Sequence, residues 1–444
     1  MGKKLGLGFI GLIIVGAIYY FMAGSQQLTA QMKKQVNTEL TSIQKEGFSV
    51  ENRDIQKEKE HFVLSFDEPQ KIASFLSRQG IQLNVHDAEL LKGLKLGVDV
   101  SYLADAYSAF TLKMYPLALP DMISASTVNE ADKKALAQVE QMLKKKTFLM
   151  HIAVNKLGNG FKGHMNDIDE VLHGEKDVTL RMTGLEFSGN LQDGKMKSIK
   201  QYLNRLILNI PNELDITLLD LVSTYVVTGK TPYDYSTDYR IEKVVIHARS
   251  KFKILINDIT IHSTSTVKDA LASGTMRTNT KSMTMISKGK AYAFNDFTFE
   301  IKAANLDVSA FEKLQHVNVN DEAAMNALFQ TLISKGVQFE IPTFSVANIE
   351  AEGKKMEGFN LSAKVDIDKS LNIAALEVNP LSALSAVDAN LEMTLSRDLF
   401  RLIAQQPKAM MALMIFQPKN VNGKKVYKLE LKDGKFTVNG MAMM

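Results

Sequence analysis

The chain has 444 residues, a net charge of +4, 45% hydrophobic and 23% charged residues, and no cysteine. That composition belongs to a folded protein, and the length suggests two to three domains or one elongated sheet system. Lys and Arg alternate with Asp and Glu instead of forming a stripe, which argues against nucleic acid. The missing Cys excludes disulfides, thiolate catalysis, Cys-ligated zinc and attachment through an acylated Cys.

Leu5 to Gly24 carries no charged side chain. At about 1.5 Å per residue such a run spans roughly 30 Å, the thickness of a bilayer's hydrocarbon core. It predicts one N-terminal transmembrane helix, with Leu5, Leu7, Phe9, Ile10, Leu12, Ile13, Ile14, Val15, Ile18, Tyr19, Tyr20 and Phe21 as its anchor residues. Tyr19 and Tyr20 fall where an aromatic belt would sit. Ala23-Gly24-Ser25 leaves a cleaved signal peptide as the alternative. Lys3 and Lys4 flank the run more closely than Lys33 and Lys34, so the N-terminus is expected on the cytoplasmic side and the bulk across the membrane.

Four regions are expected: a signal-anchor at 1–25, a helical stalk at 26–46, a β-rich region with helices at 47–240, and a β-rich C-terminal region at 241–444. The stalk rests on the helical spacing of Leu28, Met32, Val36 and Leu40. Period-two alternation then dominates. Phe62, Leu64 and Phe66 alternate with Val63, Ser65 and Asp67, and Leu94 to Tyr102 repeats the pattern. So do Phe297 to Ile301, Phe359 to Ile367 and Val387 to Leu395. One apolar and one polar face per strand implies antiparallel sheet. Turns are expected at Gly158-Asn159-Gly160, Asp193-Gly194, Asn257-Asp258 and Asp433-Gly434, the last closing a terminal hairpin. Helices are expected over Glu130–Lys146, Glu322–Lys335 and Arg397–Gln406. The fold class is therefore α+β, dominated by long antiparallel meander sheet with interspersed helices, after one transmembrane helix.

The chemistry-bearing residues are dispersed. Eight histidines form no HExxH or other metal spacing. His151 is placed on the polar side of its strand, and His247 and His262 are expected to flank a hairpin at Asn257-Asp258. His164, Asp167 and Asp169 lie within six residues but lack the spacing and Gly of a calcium loop. Gly229-Lys230-Thr231 mimics the end of a phosphate loop, yet Thr224 stands where its first Gly belongs. Met410, Met411 and Met414, with Met441, Met443 and Met444, read as packing residues before copper ligands. No catalytic, cofactor or metal site is assigned.

Four stretches carry a resemblance: Phe294 to Leu314, Leu332 to Ile367, Val387 to Ile403 and Val426 to Gly440. Through them the chain resembles the YdgA-like family, bacterial envelope proteins with an N-terminal anchor. The resemblance implies an inner-membrane anchor with the bulk in the periplasm, and no catalytic residues. The expected function is non-enzymatic binding of lipid or envelope proteins in cell-envelope maintenance. A ligand-free scaffold and a hydrolase with dispersed residues are the alternatives.

Overall fold

The computed structural model of the protein describes residues 29–78, 89–102, 105–125, 130–192, 195–231, 233–248, 251–314, 317, 321–351, 353–373, 384–406 and 416–443. The anchor expected over Leu5–Phe21 lies outside these residues, as do the turn at Asp193-Gly194, His86, His316 and the methionines at 410, 411, 414 and 444. No described helix is long and apolar enough to cross a membrane. The chain divides into two compact units at Val227–Thr228.

The first unit opens with helix α1 (Thr29–Lys45). Its Val36, Leu40 and Ile43 recur at helical spacing and are buried in the core, so the helix is docked on the unit from Val36 to Ile43. Then follow β1 (Phe48–Ile55), β2 (Lys59–Phe66), α2 (Pro69–Arg78), β3 (Lys95–Ser101), β4 (Ser108–Ala118), α3 (Asp121–Ala125) and α4 (Glu130–Lys144). The unit ends with β5 (Met150–Asn155), β6 (Gly160–Met165), β7 (Ile168–Leu172), β8 (Val178–Gln192), β9 (Lys195–Ile210) and β10 (Leu214–Val227). Every pairing is antiparallel, in the order β1-β2-β3-β4-β5-β6-β8-β9-β10. β7 takes the stretch of β8 that β6 leaves open.

The core of this unit gathers Phe62, Leu64 and Phe66 of β2 with Leu96, Val98 and Val100 of β3 and with Ile72, Phe75 and Leu76 of α2. The expected alternation holds on β2, but its second face is covered as well: Val63 and Ser65 are also buried. Val63 pairs with Gly97, which pairs with Tyr115, and a Cβ at Gly97 would sit 2.5 Å from the Tyr115 ring. The glycine leaves room for that ring to approach the backbone.

The second unit contains β11 (Tyr235–Ala248), β12 (Phe252–Lys268), β13 (Leu271–Ser287), β14 (Lys290–Asp307), α5 (Val308–Leu314) and α6 (Glu322–Ile333). It continues through β15 (Val337–Ala351), β16 (Lys354–Ile367), β17 (Val387–Leu395), α7 (Arg397–Ala404), β18 (Lys419–Val421), β19 (Lys424–Lys432), β20 (Lys435–Val438) and β21 (Met441–Ala442). It is an antiparallel meander from β11 to β17. β19 then pairs with β17 on one side and with β18 and β20 on the other. The expected terminal hairpin is present: Leu429 faces Val438 and Leu431 faces Phe436 across Asp433-Gly434. Asp321 caps α6 by accepting from the Ala324 N–H at 3.0 Å, and Ser396 caps α7 through the Leu399 N–H at 3.2 Å.

One expectation is corrected. Asn257-Asp258 is no turn; it lies within β12, whose hairpin with β11 closes before Phe252. The expected boundary at 240/241 falls inside β11.

Candidate functional site

Strands β8 to β16 run to 14–18 residues, against about 5–6 for an average strand. One line of irregular backbone crosses them, set by a left-handed residue on four of the strands. Gly184 on β8, Asp220 on β10, Asp258 on β12 and Asp296 on β14 have φ of +66°, +48°, +50° and +53°. Gly, Asp and Asn reach this left-handed region at least cost. The strands between them lack a bonded partner at the matching residue: Asn204 on β9, Lys281 on β13 and Ala347 on β15.

The apolar pattern changes phase at that line. Ile256 is followed by Ile259, Phe294 by Phe297, and Val346 by Ile349, each three residues on where alternation would give two. Phe294, Phe297, Val346 and Ile349 nevertheless belong to one cluster, so the slip keeps the apolar side chains on one face. A strict alternation would have sent half of each long strand's apolar residues to the opposite face.

Rows of apolar residues therefore cross the second unit from strand to strand. One runs Tyr239–Ile261–Thr278–Phe299–Phe344–Leu361–Met393–Tyr427 as successive partners. Its seven spacings of about 4.8 Å make roughly 34 Å. The next runs Ile241–Ile259–Thr280–Phe297–Val346–Phe359–Leu395, and beyond the slip Val244–Ile256–Met283–Phe294–Ile349–Met356. Phe344 holds Phe297, Phe299 and Phe359 in edge-on contacts at 5.0–5.9 Å. In the first unit Met182–Leu206–Leu218 and Leu185–Leu203–Leu221 flank the corresponding line.

Coverage of this face is uneven. Towards β16, β17 and β19 it is closed by Leu399, Phe400 and Ile403 of α7, and Val346 and Leu395 are buried. Among the described residues of β11 to β14, no large apolar side chain reaches full burial. Tyr239 and Met276 on that face stay 41% and 37% exposed.

The histidines are drawn into local pairs. His61 Nδ1 lies 2.7 Å from Asp99, His173 Nδ1 3.0 Å from Asp177, and His262 Nδ1 2.7 Å from Asp238. His151 sits half-buried on the polar side of β5 and stacks on His164, ring centres 4.7 Å apart. His247 and His262 do not meet: they face Lys253 and Asp238 at different points of the β11–β12 ladder. His164, Asp167 and Asp169 do not converge either. Asp167 accepts from the Gly184 N–H at 2.8 Å, and Asp169 holds Arg181 at 2.7 Å. Among the described residues no group of three His, Asp or Glu is placed to hold a metal ion. Met441 and Met443 are exposed at the final strand.

Gly229-Lys230-Thr231 forms a turn knotted around Asp234. Its carboxylate accepts from Thr231 N–H (2.9 Å), Thr231 Oγ1 (2.7 Å) and Val267 N–H (2.7 Å). Desolvation pushes this carboxyl up, but the hydrogen bonds outweigh it and hold Asp234 below the ordinary carboxylate range.

A family model described as "Bacterial protein of unknown function (DUF945)" matches residues 116–444, from the end of β4 through the last strand. The chain belongs to the DUF945 family. All the long strands of this DUF945 protein, with their slip line and apolar rows, lie inside the matched region, whereas α1 and α2 precede it. No curated protein and no solved structure matches the chain.

Proposed function

We propose that this DUF945 protein binds lipid acyl chains on the apolar face of its long strands, as a non-enzymatic component of the bacterial cell envelope. The finer setting is part of the same reading. The uncharged segment Leu5–Gly24 would hold it in the inner membrane, and the YdgA-like resemblance would put both units in the periplasm.

The observation that carries the reading is the incompletely covered apolar face of β11 to β14. A solvated face of Ile, Phe and Met rows is costly, at roughly 25 cal/mol for each Å2 of apolar surface left in water. Monomeric proteins rarely keep a large contiguous patch of this kind without a partner for it. Row length also suits the ligand: roughly 34 Å exceeds the span of one acyl chain, half of a hydrocarbon core of about 30 Å.

The test compares lipids extracted from the purified full chain with those from the variant I256E/I259E/I261E, by mass spectrometry. The reading expects lipid beyond the amount held by the anchor in the parent and its loss in the variant. Equal lipid in both, with unchanged circular dichroism, would refute it.

A further inference from the structure

A shallow cleft of about 670 Å3 opens on the polar side of the first unit, opposite its core. Two rows of cross-strand partners form it. Lys113, His151, His164 and Glu186 succeed one another on β4, β5, β6 and β8. Beside them run Ala153, Lys162, Ser188 and Lys200 on β5, β6, β8 and β9. Ala153 and Ser188 are short, so the second row has a low floor with Lys162 and Lys200 on either side of the Ser188 hydroxyl.

The charges in this cleft are unbalanced. Among the described residues, Lys113, Lys162 and Lys200 have no carboxylate partner within salt-bridge distance, in a chain whose other lysines make many such pairs. Lys162 is steadied by the Tyr107 ring, 4.1 Å from its Nζ. Burial, then His164 and Lys113, hold His151 below the ordinary imidazole range, against a hydrogen bond with Asn166 that works the other way. Glu186 is the one carboxylate among the lining residues, and it stands across from His164.

We propose that this cleft binds a phosphate-bearing anion between Lys162 and Lys200, over the Ser188 hydroxyl, with the stacked His151–His164 pair as its wall. Two ammonium groups and a hydroxyl supply charge-assisted donors to the phosphate oxygens. Glu186 disfavours an anion at its own end and so directs it towards the two lysines. A bound anion offsets the repulsion of Lys113 and of the paired ring, so His151 takes up its proton at higher pH. By linkage, affinity rises as pH falls through the titration of His151. This site lies in the first unit, apart from the apolar rows of β11 to β14 in the second, and is independent of acyl-chain binding.

The experiment follows the imidazole resonances of the full chain, in non-ionic detergent for the free probes and after detergent removal for the vesicles. Inorganic phosphate and glycerol 3-phosphate are the free probes, and phosphatidylglycerol vesicles are the membrane probe. A raised His151 titration midpoint, with affinity falling about tenfold or more in K162A/K200A, supports the site. A response to the free probes identifies a soluble phosphate. A response to vesicles alone identifies a lipid headgroup. No response to any probe, or an undiminished response in K162A/K200A, overturns the proposal. Unshifted resonances of His61, paired with Asp99 in the same unit, show that the variant keeps its fold.

Discussion

Glu60 is the most deeply committed charge of the first unit. Its side chain is fully buried, Arg53 Nε holds one oxygen at 2.7 Å and Tyr102 Oη donates to the other at 2.7 Å. Burial first, then the Glu60 hydrogen bond, pushes the Tyr102 phenol well above its usual range, so Tyr102 stays a donor at every physiological pH. Arg53 also donates to Asn37 of α1 at 2.7 Å, so the network ties that helix to the sheet. Glu60→Ala strands a guanidinium and a buried phenol, and urea denaturation should show a loss of about 3–5 kcal/mol. Glu60→Gln, which keeps an acceptor, should lose less.

Asp234 supplies a second test at this scale. Its folded pKa lies below the ordinary aspartate value of about 3.9, so it stabilises the fold fully above that value. The contribution is lost as pH falls through the lower folded value. Asp234→Ala leaves three donors without their acceptor and should cost about 1–3 kcal/mol at pH 7. The difference from the parent should shrink below about pH 4. A constant difference across that range would contradict the hydrogen-bonded carboxylate. Neither role was legible in the sequence, because both depend on residues brought together from distant strands or turns. The rejected phosphate-loop mimic at Gly229-Lys230-Thr231 marked the right place without its purpose.

At the scale of elements, antiparallel sheet, the terminal hairpin and the helices α6 and α7 followed from alternation and helical spacing, which act locally. Asn257-Asp258 misled for an instructive reason. Asn-Asp favours positive φ in a turn and in a strand alike, and only the apolar phase distinguishes the two. Ile256-Asn-Asp-Ile259 and Phe294-Asn-Asp-Phe297 carry the same mark, as do Met182-Thr-Gly-Leu185 and Leu218-Leu-Asp-Leu221. A search for apolar residues three apart within alternating runs would have found the slip line. α2 escaped notice because Ile72, Ala73, Phe75 and Leu76 occupy a short helix started by Pro69. The slip makes a sharp expectation. Asp296→Val forces a β-branched residue into left-handed backbone and should cost about 1–3 kcal/mol. Asp296→Gly should stay within about 0.5 kcal/mol of the parent, and thermal unfolding of the two variants decides it. Equal losses would mean that the aspartate acts through its carboxylate and not through its backbone.

For the whole molecule, the contrast lies between two ways of using an apolar face. In the first unit α1 and α2 close over β1 to β4, and Phe62, Leu96 and Val98 are sealed from water. In the second unit α7 closes the face over β16 and β19. On β11 to β14 the same rows are left partly exposed. The sequence announced apolar strand faces, but it could not say which would be covered, because coverage depends on where helices dock. The most direct measurement places a photoreactive side chain at Ile259, on the apolar row, or at Thr260, its neighbour on the polar face, and irradiates the full chain in cells. Acyl-chain binding on this face gives lipid adducts at 259 and not at 260. Adducts at neither position, or at both alike, would contradict it.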